Sequence, residues 1–190
     1  VRLGMWIREG NRGFELMGKT VGIIGYGYMG KAFAQRLNGF GVKVIAYDKY
    51  LEGFGNEKVE EVSLAELQSR ADVVSLHIPQ TEETVGMVNS EFLSSFDKPI
   101  CLINTARGSS VVIADLVEAI NDGGVEGACL DVLEFESSSF EKIAKKFPPE
   151  FQSLVESEKV VLSPHIAGWT HEAKLKMAEF LAEKIISAFQ

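Results

Sequence analysis

Val21-Gly22-Ile23-Ile24-Gly25-Tyr26-Gly27-Tyr28-Met29-Gly30 is a short apolar run that breaks into a G-x-G-x-x-G pattern. Residues 20–25 read as a strand, 29–40 as a helix, and 42–47 as a second strand closed by Asp48. In such a βαβ unit Gly25 makes the tight turn, Gly27 lets backbone approach a pyrophosphate, and Gly30 packs helix against strand. The helix N-terminus then offers free N–H groups and a positive dipole end to phosphate. Asp48 can accept both hydroxyls of a ribose and repel a 2′-phosphate, which favours NAD over NADP. Lys49 follows directly and could offset part of that charge, so strict preference stays open.

The alternation continues outward from this unit. Ser63 is an N-cap with Glu66 at the capping-box position, opening a helix over 63–69. Strands are predicted over 71–76, 100–104, 127–130 and 160–162, and helices over 90–95 and 113–121, the latter stopped by Gly123-Gly124. Residues 172–189 form an amphipathic helix with Leu175, Ala178, Leu181, Ala182, Ile185 and Ala188 on one face. Residues 134–157 are polar and irregular around Pro148-Pro149, a surface excursion with some helix. Residues 1–19 lack periodicity and read as an opening segment. The expected fold is α/β: a Rossmann-type doubly wound parallel sheet with helices on both faces, one domain over 1–190.

Composition narrows the function classes. The 190 residues carry a net charge of −8 and no dense Lys/Arg cluster, which argues against nucleic acid as a partner. No apolar run reaches the roughly 20 residues of a membrane span, and no signal peptide is visible, so the cytoplasm is the expected compartment. Cys101 and Cys129 sit in apolar runs and read as small buried hydrophobes rather than a disulfide or metal pair.

A doubly wound sheet binds ligands at the carboxyl ends of its strands. Three further strand ends carry chemistry. Asn104-Thr105-Ala106-Arg107-Gly108 places an arginine among small residues, suited to clamping a carboxylate. Asp131-Val132-Leu133-Glu134-Phe135-Glu136 supplies three carboxylates. Ser163-Pro164-His165-Ile166-Ala167-Gly168 holds a histidine between a proline and a glycine. Together they suit oxidation of a 2-hydroxy acid: His165 takes the hydroxyl proton, a carboxylate orients the ring, and Arg107 holds the substrate. His77, in Leu76-His77-Ile78-Pro79, reads as a wall of the dinucleotide pocket, and His171 as surface.

These motifs, with Glu15-Leu16…Gly18-Lys19-Thr20, the Thr81-Glu82-Glu83-Thr84 run and Gly127-Ala128…Leu130-Asp131-Val132, span nearly the whole chain. In order, they resemble the NAD-binding domain of the D-isomer-specific 2-hydroxyacid dehydrogenases, a group that includes phosphoglycerate dehydrogenase. The resemblance implies catalytic roles for Arg107, Glu136 and His165. It implies cofactor contacts from Gly25, Gly27, Tyr28, Met29, Gly30, Asp48, His77, Pro79, Thr84, Thr105, Ala106, Arg107, Asp131, His165 and Gly168, and no metal. It also implies NAD as cofactor, a small 2-hydroxy or 2-oxo acid as substrate, and a homodimer packed through the segment around Trp6. Two departures stand out: Ser137 follows Glu136 where the family usually has proline, with Glu134 as a competing partner for His165, and 137–157 is longer than usual. The family's smaller second lobe finds no match in this chain, so the expectation is NAD binding with little turnover by the chain alone. Relatives acting on glyoxylate, hydroxypyruvate or phosphite, and NAD-sensing corepressors without enzymatic activity, are the alternatives.

Overall fold

The computed structural model describes residues 4–136 and 148–189. Seven strands form one sheet: β1 (Thr20–Ile24), β2 (Lys43–Tyr47), β3 (Glu60–Glu61), β4 (Val73–Leu76), β5 (Ile100–Asn104), β6 (Val125–Leu130) and β7 (Val160–Leu162). Every pairing is parallel, in the order β3-β2-β1-β4-β5-β6-β7. The chain reverses direction across the sheet between β1 and β4, a switch point where a crevice opens at the strand ends. This is the Rossmann-type α/β fold.

Helices α1 (Tyr28–Arg36), α2 (Leu64–Arg70), α3 (Ser90–Ser94), α4 (Ile113–Asp122), α5 (Pro149–Glu156) and α6 (His171–Ala188) connect and follow the strands. The two sheet faces carry separate cores. One gathers Val21, Ile23, Ala34, Val44 and Val73 beneath α1. The other gathers Leu67, Leu102, Leu116 and Leu154 from the α2, α4 and α5 side. Strand side chains buried on both faces explain the near-continuous apolar runs of β1 and β4.

Local chemistry accounts for most boundaries. Ser63 and Glu66 form the reciprocal capping box at α2. Gly123 ends α4 in the left-handed conformation, φ 85°. The helix expected over 29–40 instead stops at Arg36, because the chain turns through Gly39 and Gly41, both at positive φ. The two-residue edge strand β3 was not expected: Glu60 and Glu61 carry no apolar alternation and pair only with β2. The excursion at 134–157 does contain a helix, α5, with Pro149 in its first turn and Leu154 in the core. Ser137 and much of the longer stretch lie outside the described residues.

The terminal helix α6 buries none of its residues, and Leu175, Leu181 and Ile185 are exposed, since no described element packs over them. One expectation of burial is corrected. Cys101 and Cys129 are free and only half-buried, on neighbouring strands.

Candidate active site

The glycine loop behaves as three different glycines. A β-carbon on Gly25 would lie 2.6 Å from the His77 carbonyl oxygen, and Gly25 sits at φ 91°. One on Gly30 would lie 2.1 Å from the Gly25 carbonyl oxygen, so only glycine lets α1 start this close to β1. One on Gly27 would meet nothing within 4 Å. That open side is where a phosphate can meet the N-terminus of α1, beside exposed Tyr28 and Met29. The cradle therefore fits a dinucleotide pyrophosphate on geometry.

Asp48 ties this loop to the end of β2. Its Oδ2 accepts from the Tyr26 N–H at 2.7 Å, and its Oδ1 from Tyr50 and Leu51 at 2.9 and 3.0 Å. A carboxylate offers about four acceptor positions, so three bonds leave room for a ribose hydroxyl. Across the crevice, the His77 ring bonds Ser75 Oγ through Nε2 at 3.0 Å and packs against Phe33 with centroids 5.0 Å apart. Burial lowers its pKa to about 4. The backbone of His77 therefore lines the glycine turn, while its ring lies beside α1. Thr84 Oγ1 donates to the Pro79 carbonyl at 2.7 Å and accepts from the Thr81 N–H at 2.8 Å, closing the 79–84 turn on the same rim.

At the end of β5, fully buried Asn104 shapes the next turn. Its Oδ1 accepts from Ala106 and its Nδ2 donates to the Arg107 carbonyl, both at 3.0 Å. Thr105 and Arg107 are thereby pushed outward and exposed, and Arg107 Nη1 donates to the Ala106 carbonyl at 2.6 Å. A β-carbon on Gly108 would lie 2.1 Å from the Leu133 carbonyl oxygen, so the Arg107 loop rests directly on the backbone of the acidic loop.

The acidic loop divides its three carboxylates among three tasks. Glu134 Oε1 accepts from Ile113 N at 2.9 Å and caps α4, whose own N-cap, Val112, provides no side-chain bond. Glu136 Oε1 accepts from Leu133 N at 2.6 Å, and its Oε2 lies 2.6 Å from His165 Nδ1. Asp131 is 5% exposed and holds the histidine turn: Oδ1 meets Ser163 Oγ at 2.6 Å and Ile166 N at 2.9 Å, while Oδ2 meets Ala167 N at 2.9 Å. Burial pushes the Asp131 pKa up, but the bonds from Ser163, Ala167 and Ile166, with His165 nearby, outweigh it, and the net shift is downward. His165 itself adopts φ 54°, rare for a non-glycine, and its N–H donates to the Asp131 carbonyl at 2.8 Å. Gly168 is exposed in the turn leading to the Thr170 cap of α6.

Glu136 and His165 are thus in contact, and Asp48 and the glycine loop are in contact. Asp131 was expected at the nicotinamide end; both its oxygens lie on the 163–167 turn. Three contributors escaped the sequence reading: Asn104, Ser163 and the capping role of Glu134. Asn104 carried a usable signal, a polar residue ending an apolar strand. Ser163 and Glu134 act across 32 and 21 residues of chain, which no local pattern marks. Among the described residues no cluster of three or more His, Cys, Asp or Glu side chains suits a metal.

The sheet order, the three-glycine turn and Asp48 define a nicotinamide-dinucleotide-binding α/β domain. The family model for the D-isomer specific 2-hydroxyacid dehydrogenase NAD binding domain matches residues 1–167, and the chain belongs to that family. It is 40% identical over 177 residues to a glyoxylate reductase of Korarchaeum cryptofilum, covering 92% of this chain and 50% of that protein. It is 37% identical over 183 residues to the D-3-phosphoglycerate dehydrogenase of Bacillus subtilis, covering 95% of this chain and 33% of that one. A crystal structure of D-lactate dehydrogenase from Aquifex aeolicus, complexed with NAD and lactic acid, superposes with a TM-score of 0.81 at 34% identity, over 99% of this chain and 58% of that one. The chain thus spans about half the length of the glyoxylate reductase it matches. No helix among the described residues is long and apolar enough to cross a membrane.

Proposed function

We propose that this chain is the NAD-binding domain, 1–190, of an oxidoreductase that interconverts a small D-2-hydroxy acid and its 2-oxo acid. The 2.6 Å contact between His165 Nδ1 and Glu136 Oε2 at the rim carries this reading. Bound NAD supplies the hydride acceptor, or as NADH the donor. His165 takes the hydroxyl proton in oxidation and returns it in reduction. Glu136 fixes the ring orientation and stabilises imidazolium. Arg107, exposed on the neighbouring loop, holds the substrate carboxylate or polarises its carbonyl. Gly25 to Gly30 seat the pyrophosphate, Asp48 the adenosine ribose, and Pro79, Thr84, Thr105, Ala106 and Gly168 line the remainder of the crevice.

Two substrate readings are compatible with this rim. A phosphoglycerate-type acid is supported by the 37% identity to a D-3-phosphoglycerate dehydrogenase. A glyoxylate- or hydroxypyruvate-type acid is favoured by the 40% identity to a glyoxylate reductase. We further propose a cytoplasmic homodimer, supported by exposed Met5, Trp6, Ile7 and Phe14 in the opening segment.

NADH consumption by the full-length protein that carries this domain, against a panel of 2-oxo acids, tests the reaction, with Arg107→Ala and His165→Gln as controls. Turnover that disappears in both variants is the expected result. NADH binding without turnover of any 2-oxo acid would instead fit a dinucleotide-sensing module. Sedimentation tests the dimer; a monomer at tens of micromolar would overturn it.

A further inference from the structure

Lys49 directly follows Asp48, the residue proposed to accept the ribose, and a cation beside that acceptor is what a 2′-phosphate would need. Its Nζ lies 2.6 Å from Glu83 Oε2. Tyr50 Oη donates to the same oxygen at 2.7 Å, and the ammonium lies 5.7 Å from the Tyr50 ring centroid. Two side chains from the loop after β2, Lys49 and Tyr50, thus converge on one carboxylate oxygen of Glu83 in the 79–84 turn. The arrangement holds each partner in its charged or donating form: the Glu83 pKa is lowered by Lys49 and Tyr50, and the Lys49 pKa is raised chiefly by the bond it donates to Glu83.

Asp48 alone leaves the cofactor preference unsettled, because an unpaired neighbouring ammonium would cancel much of its repulsion. We propose that Glu83 is a specificity-determining residue: by pinning Lys49 it withdraws the cation next to Asp48 in sequence from a 2′-phosphate, and so keeps the site selective for NAD over NADP. The proposal rests on Asp48 being the ribose acceptor. Glu83 touches no reacting atom; it acts through Lys49, with Tyr50 as a second tether. The pair is about half exposed, so the effect is modest and weakens with salt.

Direct titration of the chain with NADH and with NADPH, read by calorimetry at low ionic strength, tests this without any turnover. In Glu83→Gln the NADPH dissociation constant falls by about two- to fivefold while that of NADH stays within twofold. Adding Lys49→Met to Glu83→Gln abolishes the gain, and raising the salt to 0.5 M, where screening is nearly complete, shrinks it. An unchanged NADPH-to-NADH ratio in Glu83→Gln overturns the proposal. So does a gain that survives Lys49→Met, which would assign the effect to direct repulsion by Glu83. Failure of Asp48 as ribose acceptor reads differently: Asp48→Asn would then leave NADH affinity unchanged in the otherwise unaltered chain.

Discussion

His165 Nδ1 lies 2.6 Å from Glu136 Oε2, while Glu136 Oε1 is fixed by the Leu133 amide at 2.6 Å. The carboxylate is held at both oxygens, so the imidazole is oriented by a group that cannot swing away. Asp131 holds the Ser163 hydroxyl on one side of the histidine and the Ile166 and Ala167 amides on the other, so the turn that carries the imidazole is fixed as well.

Replacing Glu136 by Gln keeps the size and loses the charge. In the full-length protein we expect kcat to fall by roughly 10²-fold or more, within the range that positioned acid–base groups contribute. NADH affinity should change by less than twofold. Steady-state kinetics with a direct cofactor titration checks both; equal loss of binding would mean that Glu136 serves the fold rather than the proton.

Glu134 gives the opposite signature. Glu134→Ala strips the α4 cap and should cost about 1 kcal/mol of stability, read from denaturant melts. The kcat of the folded fraction should drop far less than in Glu136→Gln. A fall as large as that of Glu136→Gln would mean that the two glutamates share the task.

The glycines separate packing from binding. Gly30→Ala puts a methyl 2.1 Å from a carbonyl oxygen and should lower stability by several kcal/mol. Gly27→Ala meets no protein atom within 4 Å, so stability should change by less than about 0.5 kcal/mol. Its NADH affinity should nonetheless fall about tenfold or more, because the methyl occupies the phosphate approach. Normal NADH binding by Gly27→Ala would move the pyrophosphate elsewhere.

Among the groups with lowered pKa values, His77 and Asp131 should contribute to acid stability. The folded His77 resists protonation down to about pH 4, whereas the unfolded ring protonates near 6.5. Between those values the unfolded state binds more protons, so stability is lost as pH falls, at up to about 1.4 kcal/mol per unit. Asp131, also lowered, stabilises above the ordinary carboxylate range and loses that contribution as pH drops through its folded value. Melts of His77→Gln from pH 7 to 4 should show a shallower decline than the parent, and an identical slope would contradict it.

The βαβ unit was legible because its glycines and apolar runs act over neighbouring residues. So were β5, β7 and the α2 capping box. The end of α1 was misread because apolar periodicity continues through Leu37 and Phe40, and only the backbone turn at Gly39 and Gly41 cuts it short. Strand β3 was invisible because an edge strand of two glutamates needs its partner to exist. At the rim, residue types pointed to the right strand ends. The division of labour among Asp131, Glu134 and Glu136 depends on partners in β5, the start of α4 and the 163–167 turn, distant in sequence and adjacent only after the sheet forms.

The contact between Gly108 and Leu133 has a mechanical consequence. With no side chain between them, the turn bearing Arg107 and the loop bearing Glu136 have no slack in which to slide apart. A displacement of either is transmitted to the other, and through Glu136 to His165. Guanidinium, carboxylate and imidazole therefore travel as one cassette, and a change in the size of the bound acid must be absorbed by whatever faces that cassette across the crevice.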